Sequence, residues 1–278
     1  MISHNHYDHL DLSTIKSIFK TFPKARYFVP LGNKSWICSL GVPENKVYEL
    51  DWWQNREYSL EDFGHITSQD TSDDTVLRFT CVPAQHNSGR GTLDQGRTLW
   101  SGWVIEQLLV SKDEAETSKS RRKGAVYYAG DTGYRRTAKS IAVCPIFKEI
   151  GRSFGPFDLS FVPIWRGGSL GFVSYLGLRL SHNDIPSALH ATPVDAIDIH
   201  KDVLSRNTVA IHFGTFVGSE NESLEAIMEF EEAREDQGVL HLDEQAGDER
   251  GHAGIIDIGG SFAVEIGVHD HHDVSVHS

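Results

Sequence analysis

Apolar positions along the chain fall into short runs separated by polar segments. Thr75–Val82, Arg97–Ile105 and Gly124–Ala129 are rich in β-branched and aromatic residues and read as strands. Between the second and third lies a polar stretch, residues 111–124, dense in Lys, Arg, Glu and Ser, which reads as a solvated loop inserted between two strands. Beyond it the pattern alternates: a strand over Asp158–Pro163, a helix over Thr192–Leu204, a strand over Thr208–Ile211, a helix over Ser223–Asp236 and a strand over Gly254–Ile258. The helices carry start signals, with Thr192 preceding Pro193 at the first helical position and Ser223 opening a run of alternating acidic and apolar residues. Near the front, Ser13 offers a cap for a helix whose Ile15, Ile18 and Phe19 make one apolar stripe for a core. Strands that feed helices in alternation imply a layered α/β architecture. There is no internal repeat, and Val268–Ser278 reads as a His-rich tail behind a domain of residues 1–267.

Composition narrows the function classes. With 26 Lys+Arg against 39 Asp+Glu in 278 residues, the net charge of −13 argues against binding a phosphate backbone, so no nucleic-acid partner is expected. A 39% share of hydrophobic residues together with 25 Gly is enough for a buried core. Cys38, Cys81 and Cys144 are odd in number and widely spaced, which fits neither a disulfide framework nor a Cys-x-x-Cys knuckle and suits a reducing compartment. No apolar run approaches the ~18 residues that span a bilayer, so the chain reads as soluble, without signal or anchor helix.

The chemistry concentrates at the front. His4, His6, Asp8 and His9 stand in His-x-His-x-Asp-His spacing, three imidazoles and a carboxylate within six positions. Alternate residues at an extended strand end project to one side, so His4 and His6 can grip one ion while Asp8 and His9, on the following turn, reach a second. Imidazole with carboxylate is a donor set that zinc accepts more readily than Mg²⁺ does. Isolated donors recur where later apolar runs stop: His86, Asp131 and His212. Gly130 and Gly133 flank Asp131 and allow the close backbone approach that a bridging carboxylate needs. Asp8 is the candidate to orient or deprotonate an attacking water. Spacing alone supports metal-assisted hydrolysis and no narrower reaction.

The series His-x-His-x-Asp-His, His, Asp, His resembles the metallo-β-lactamase superfamily. The blocks Phe28–Gly32, Glu49–Trp53, Val82–His86, Tyr128–Tyr134, Gly155–Asp158 and Ala210–Phe216 resemble its N-acyl-phosphatidylethanolamine-hydrolysing phospholipase D branch. The resemblance implies an αββα sandwich. It implies two Zn²⁺ per chain, one held by His4, His6 and His86, the other by Asp8, His9 and His212, with Asp131 bridging. It implies that His190 contacts the substrate phosphate, and that the partner is a phospholipid at a membrane surface, cleaved to N-acylethanolamine and phosphatidic acid. A homodimer stays open, as do residence in the cytoplasm, on an intracellular membrane or, given a targeting segment, in mitochondria. A lactone or small-ester hydrolase and an inactive zinc-binding fragment are the alternatives. Two departures stand out. The metal motif begins at Ser3, so a first sheet lacking its N-terminal strands is expected, and residues 165–182 replace the family's loop after the Asp158 strand with different text.

Overall fold

The computed structural model describes residues 1–59, 62, 73–91, 93–111, 120–165, 188–214, 220–244 and 251–266. The tail at 268–278 therefore lies outside the described residues, as do the middle of the expected insertion and all of the 165–182 loop except Trp165.

A small parallel sheet pairs β1 (Tyr27–Pro30) with β2 (Val47–Leu50). A large sheet contains β3 (Asn55–Ser59), β4 (Asp73–Val82), β5 (Gly102–Ser111), β6 (Ser120–Tyr128), β7 (Leu159–Pro163), β8 (Asn207–Ile211), β9 (Leu240–His241) and β10 (His252–Gly254). Its order is β3-β4-β5-β6-β7-β8-β10-β9, antiparallel up to β6 and parallel beyond it. Two short helices, α1 (Leu12–Thr21) and α2 (Lys34–Ser39), accompany the small sheet, and α3 (Ile146–Phe154), α4 (Pro193–Asp202) and α5 (Glu220–Asp236) accompany the large one.

Strand alternation sorts the side chains into layers. In β5, Trp103 joins Phe28, Leu50, Tyr58 and Cys81 between the two sheets, while its neighbour Val104 faces the other way, toward Phe147, Ile197 and Phe230 of α3, α4 and α5. On the far side of the small sheet, Tyr27, Val29 and Val47 pack against Ile15 of α1 and Ile37 of α2. The layer sequence is helix, sheet, sheet, helix, which is the expected αββα sandwich. Its first sheet has only two strands among the described residues.

Several boundaries differ from the pattern-based reading. The expected strand at 97–105 lies further on, at β5, because residues 99–101 bond elsewhere: Leu99 N–H to Leu31 O at 2.7 Å and Ser101 N–H to Ser3 O at 2.8 Å. The expected loop 111–124 is strand at Ser111 and from Ser120 to Gly124, because β5 and β6 continue as one long hairpin with a bulge opposite Gln107 and Leu108. Its basic run misled because Arg122 is 1% exposed: it donates to Phe154 O and, at 2.9 Å, to Pro156 O, and lies 4.0 Å from the buried Glu106 carboxylate. The cap of α1 is Asp11 rather than Ser13, since its carboxylate accepts the Thr14 N–H at 2.7 Å and also takes the Ser13 hydroxyl. Helix α5 begins at Glu220, three residues before Ser223. The last expected strand, 254–258, is β10 at His252–Gly254 instead, wedged between β8 and β9. Thr192 caps α4 as expected, in a reciprocal capping box with Asp195.

Candidate metal centre

Strands β4, β6, β7 and β8 run in the same direction, so their carboxyl ends share one edge of the large sheet. The front of the chain reaches this edge along an extended path. Ile2 N–H bonds to Phe28 O at 2.9 Å, Trp103 Nε1–H to Ile2 O at 2.9 Å, and Ser101 N–H to Ser3 O at 2.8 Å. A tight turn follows, with His9 N–H and Leu10 N–H both on His6 O, and it hands the chain to α1. His86 lies past the end of β4, Asp131 past β6 and His212 directly after β8. His212 has φ of +63°, a strained backbone for a non-glycine residue and a kind of strain that clusters at functional sites. Gly130, also at +63°, leaves no room for a side chain: a Cβ there would stand 2.6 Å from Ser3 Cβ and 2.8 Å from Ser101 O.

The fold brings all seven expected metal donors together in two groups. His4, His6, His86 and Asp131 form one, Asp8, His9, His212 and Asp131 the other, and within each group the donor atoms lie within 4.8 Å of one another. The first group is buried, whereas the side chains of Asp8, His9 and His212 keep 10–21% exposure. His4 Nε2 lies 2.8 Å from His6 Nδ1, which is 3.4 Å from His86 Nε2. His9 Nε2 and His212 Nε2 are 3.3 Å apart, and each is 3.1 Å from an Asp131 oxygen.

These distances test whether a metal fits. Donors on a tetrahedral zinc with bonds of about 2.0–2.1 Å stand ~3.3–3.4 Å apart, and the observed separations bracket that figure. The ring chemistry agrees. His86 directs Nδ1 to Leu189 O at 2.8 Å and His6 directs Nε2 to Gly89 O at 3.3 Å, so protons there leave His86 Nε2 and His6 Nδ1 as bare lone pairs. His4 Nε2 meets them, and with the His4 proton on Nδ1 the three lone pairs face one another and repel unless a cation sits between. Both oxygens of Asp131 are buried without an aligned hydrogen bond.

In the first donor group, electrostatics favours the same states. Burial, with His9 and His86 alongside, pushes His4 down to about 2, and burial pushes His86 down to about 4, leaving the neutral imidazoles that metal ligation requires. Burial opposes charge on His9 as well, but the Asp131 and Asp8 carboxylates overcome it and raise His9 to about 9. His212 and His9 hold Asp8 well below the usual carboxylate range. Burial would raise Asp131, yet His9 and His212 outweigh it and keep that carboxyl low as well.

His190 belongs to neither group and lies at their rim. Its Nδ1 is 3.9 Å from Asp131 Oδ2 and has no hydrogen-bond partner, and its ring stacks obliquely on Trp165 at 4.5 Å. Burial pushes it down to about 4. Pattern reading missed Arg90, whose Nη2 donates to Asp8 Oδ1 at 2.8 Å. Nor did it mark Asn5, the spacer of the motif, whose Oδ1 accepts the Gly89 N–H at 2.8 Å. A glycine on each side of Arg90 is the trace it leaves: at Gly89, φ +72°, a Cβ would stand 2.4 Å from Asp94 O.

A family model described as a beta-lactamase superfamily domain matches residues 1–213, and the chain belongs to that superfamily. Membership implies a divalent metal, and the two groups are where this chain could hold it. The chain is 33% identical over 244 residues to N-acyl-phosphatidylethanolamine-hydrolyzing phospholipase D 1 of Caenorhabditis elegans, across 85% of its own length and 55% of the worm protein. It is 27% identical over 217 residues to the mitochondrial N-acyl-phosphatidylethanolamine-hydrolyzing phospholipase D of Saccharomyces cerevisiae, across 78% of its own length and 36% of the yeast protein. It thus spans about half or less of these curated relatives. Among solved structures, CmlA, a diiron beta-hydroxylase from Streptomyces venezuelae, superposes with a TM-score of 0.51 at 16% identity, over 91% of this chain and 42% of that one, a likeness of fold alone. No helix among the described residues is long and apolar enough to cross a membrane.

Proposed function

We propose that this chain is a zinc-dependent phosphodiester hydrolase of the phospholipase D type, with two Zn²⁺ per chain, acting on N-acyl-phosphatidylethanolamine at a membrane surface. Residues 1–267 are its hydrolase domain. His4, His6 and His86 hold one ion, Asp8, His9 and His212 the other, and Asp131 serves both. The observation that carries the phosphodiester reading is His190: an imidazole outside both donor groups, with an unpartnered Nδ1 3.9 Å from Asp131. Similarity to the worm and yeast phospholipases supports the lipid substrate. The yeast relative, described as mitochondrial, makes that organelle a candidate location beside the cytoplasm and the surface of an intracellular membrane.

Held by the two donor groups, a pair of divalent ions would polarise a phosphoryl oxygen and make water nucleophilic at neutral pH. The rest is done by side chains. Arg90 holds Asp8 Oδ1, leaving Oδ2 turned toward His9 at 3.4 Å and His212 at 3.7 Å. A carboxylate held so far below its usual range stays ionised, so Asp8 accepts a hydrogen bond from the attacking water and orients it. A neutral His190 donates to a phosphate oxygen, and the Trp165 ring keeps it turned inward. The exposed flank of the Asp8 group leaves the substrate a way in.

The test is release of N-acylethanolamine from micellar or bilayer N-acyl-phosphatidylethanolamine by the zinc-loaded chain, beside lactone and small-ester substrates. Lipid turnover that a chelator abolishes is expected. Turnover of lactones without lipid would move the assignment to a small-ester hydrolase, and a metal-loaded chain inert to all of them would mark a zinc-binding fragment.

A further inference from the structure

We infer that Ser3 is a positioning residue shared by the two metal subsites, its single hydroxyl orienting one imidazole from each. Ser3 Oγ lies 3.0 Å from His4 Nδ1 and 3.3 Å from His9 Nδ1, and the two rings are 4.3 Å apart with a 40° tilt. Both rings turn Nε2 toward Asp131. A serine oxygen has two lone pairs, so it can accept an N–H from both rings at once. In that arrangement each ring carries its proton on Nδ1 and presents Nε2 bare. Were the hydroxyl to donate to either Nδ1 instead, that ring's proton would move to Nε2 and its ligating lone pair would be lost.

The other orienting acceptors serve one ring each: Leu189 O for His86 and Gly89 O for His6. Among the described residues, Ser3 is the acceptor common to both donor groups, as Asp131 is the common donor. The platform under it is rigid. Ser3 is 2% exposed, its carbonyl accepts the Ser101 N–H at 2.8 Å, and its Cβ fills the space that makes a side chain at position 130 untenable. Asp131 follows directly on that contact, so the hydroxyl, the two imidazoles and the bridging carboxylate form one mechanical unit. Loss of the hydroxyl therefore loosens both subsites together, whereas loss of any other orienting acceptor loosens one.

This role rests on the metal-centre reading, and the test separates the two. Zinc and cobalt(II) affinities are measured on the full chain by competition with a chromophoric chelator, and the cobalt absorption bands follow each subsite. Ser3→Ala removes one oxygen and keeps the Cβ; it should weaken both ions by roughly 10- to 100-fold, the usual effect of losing an outer-sphere partner. Ser101→Ala, whose hydroxyl lies 3.4 Å from Ser3 O and touches neither imidazole, should leave both affinities within about two-fold. Weakening of one ion only, or of neither, overturns the shared role. Should Ser3→Ala fail to fold, long-range ¹H–¹⁵N spectra of the zinc-loaded wild-type chain decide instead: Nδ1–H on both His4 and His9 is expected, and Nε2–H on either ring overturns the proposal. A wild-type chain that takes up no divalent ion would overturn the metal centre itself, and Ser3's role with it.

Discussion

Asp131 is the residue on which both donor groups depend. It is buried, both its oxygens lack an aligned hydrogen bond, and it is the one donor common to both groups. Asp131→Asn keeps the shape and removes the charge, so it should weaken both subsites at once and lower the metal content from the two ions proposed per chain to below one. Elemental analysis checks this, on a chain ending near Gly267 so that His269, His271, His272 and His277 bind no stray metal. His190→Ala makes the complementary prediction. Because His190 belongs to neither donor group, the substitution should cost phosphodiester turnover on the order of 10²-fold while both ions stay bound. Equal loss of metal would place His190 among the ligands instead. At this scale the sequence was legible where donors were dense or stood alone after apolar runs, as with His4 to His9, His86, Asp131 and His212. Asn5 and Arg90 were not, since each acts through a contact made across the fold, 84 and 82 positions away; Ser3 was not, because its local contacts to His4 and His9 depend on how the folded turn aims their rings.

Helix α4 shows how an element supports the site. Its capping box ties Thr192 Oγ1 to the Asp195 N–H and Asp195 Oδ2 to the Thr192 N–H, each at 3.1 Å, two residues beyond His190. Ala191, between them, bonds through its N–H to Thr132 O beside Asp131 and through its carbonyl to the Trp165 N–H. Thr192→Ala should therefore lower stability by ~1 kcal/mol, read as a fall in the denaturant midpoint, and should raise KM for the phosphodiester more than it changes metal content. An unchanged midpoint would mean that the cap is carried by neighbouring contacts. This helix was readable because its signals are local, a Thr-Pro start and an apolar face. The β5–β6 hairpin was not, because Arg122 is an ordinary basic residue in a polar run until Glu106 and two backbone carbonyls from distant parts of the chain surround it. The small sheet was missed too: β1 and β2 are four residues each, and their apolar character becomes informative only when Phe28 and Leu50 meet Trp103 and Cys81.

At the scale of the whole molecule, the centre ties together the front of the chain, the carboxyl ends of three strands and the start of α4, so its protonation is felt as global stability. The imidazoles divide by direction. Burial depresses His4, His6, His86 and His190, while Asp131 and Asp8 raise His9 against its own burial. A depressed imidazole is neutral in the fold but takes a proton in the unfolded chain once pH falls below about 6.5, so its contribution is present above that value and is lost as pH falls toward the folded value of about 4. His9 runs the opposite way: its contribution is present below about 6.5 and is lost as pH rises through about 9. The metal-free chain should therefore be most stable near pH 6.5 and weaken on both sides. Buried carboxyls raised by desolvation, Glu106, Asp195 and Asp202, act against the acid-side fall, so the comparison that isolates the effect is between chains differing by one imidazole. Metal-free His190→Ala should lose less stability than the wild type between pH 6.5 and 4, by up to ~3 kcal/mol for a shift of this size. Denaturant melts in chelator across that window measure it. Parallel curves for the two chains would mean that His190 titrates in the fold as it does in the unfolded chain, and that the buried, neutral state assigned to it at the rim of the metal centre is wrong.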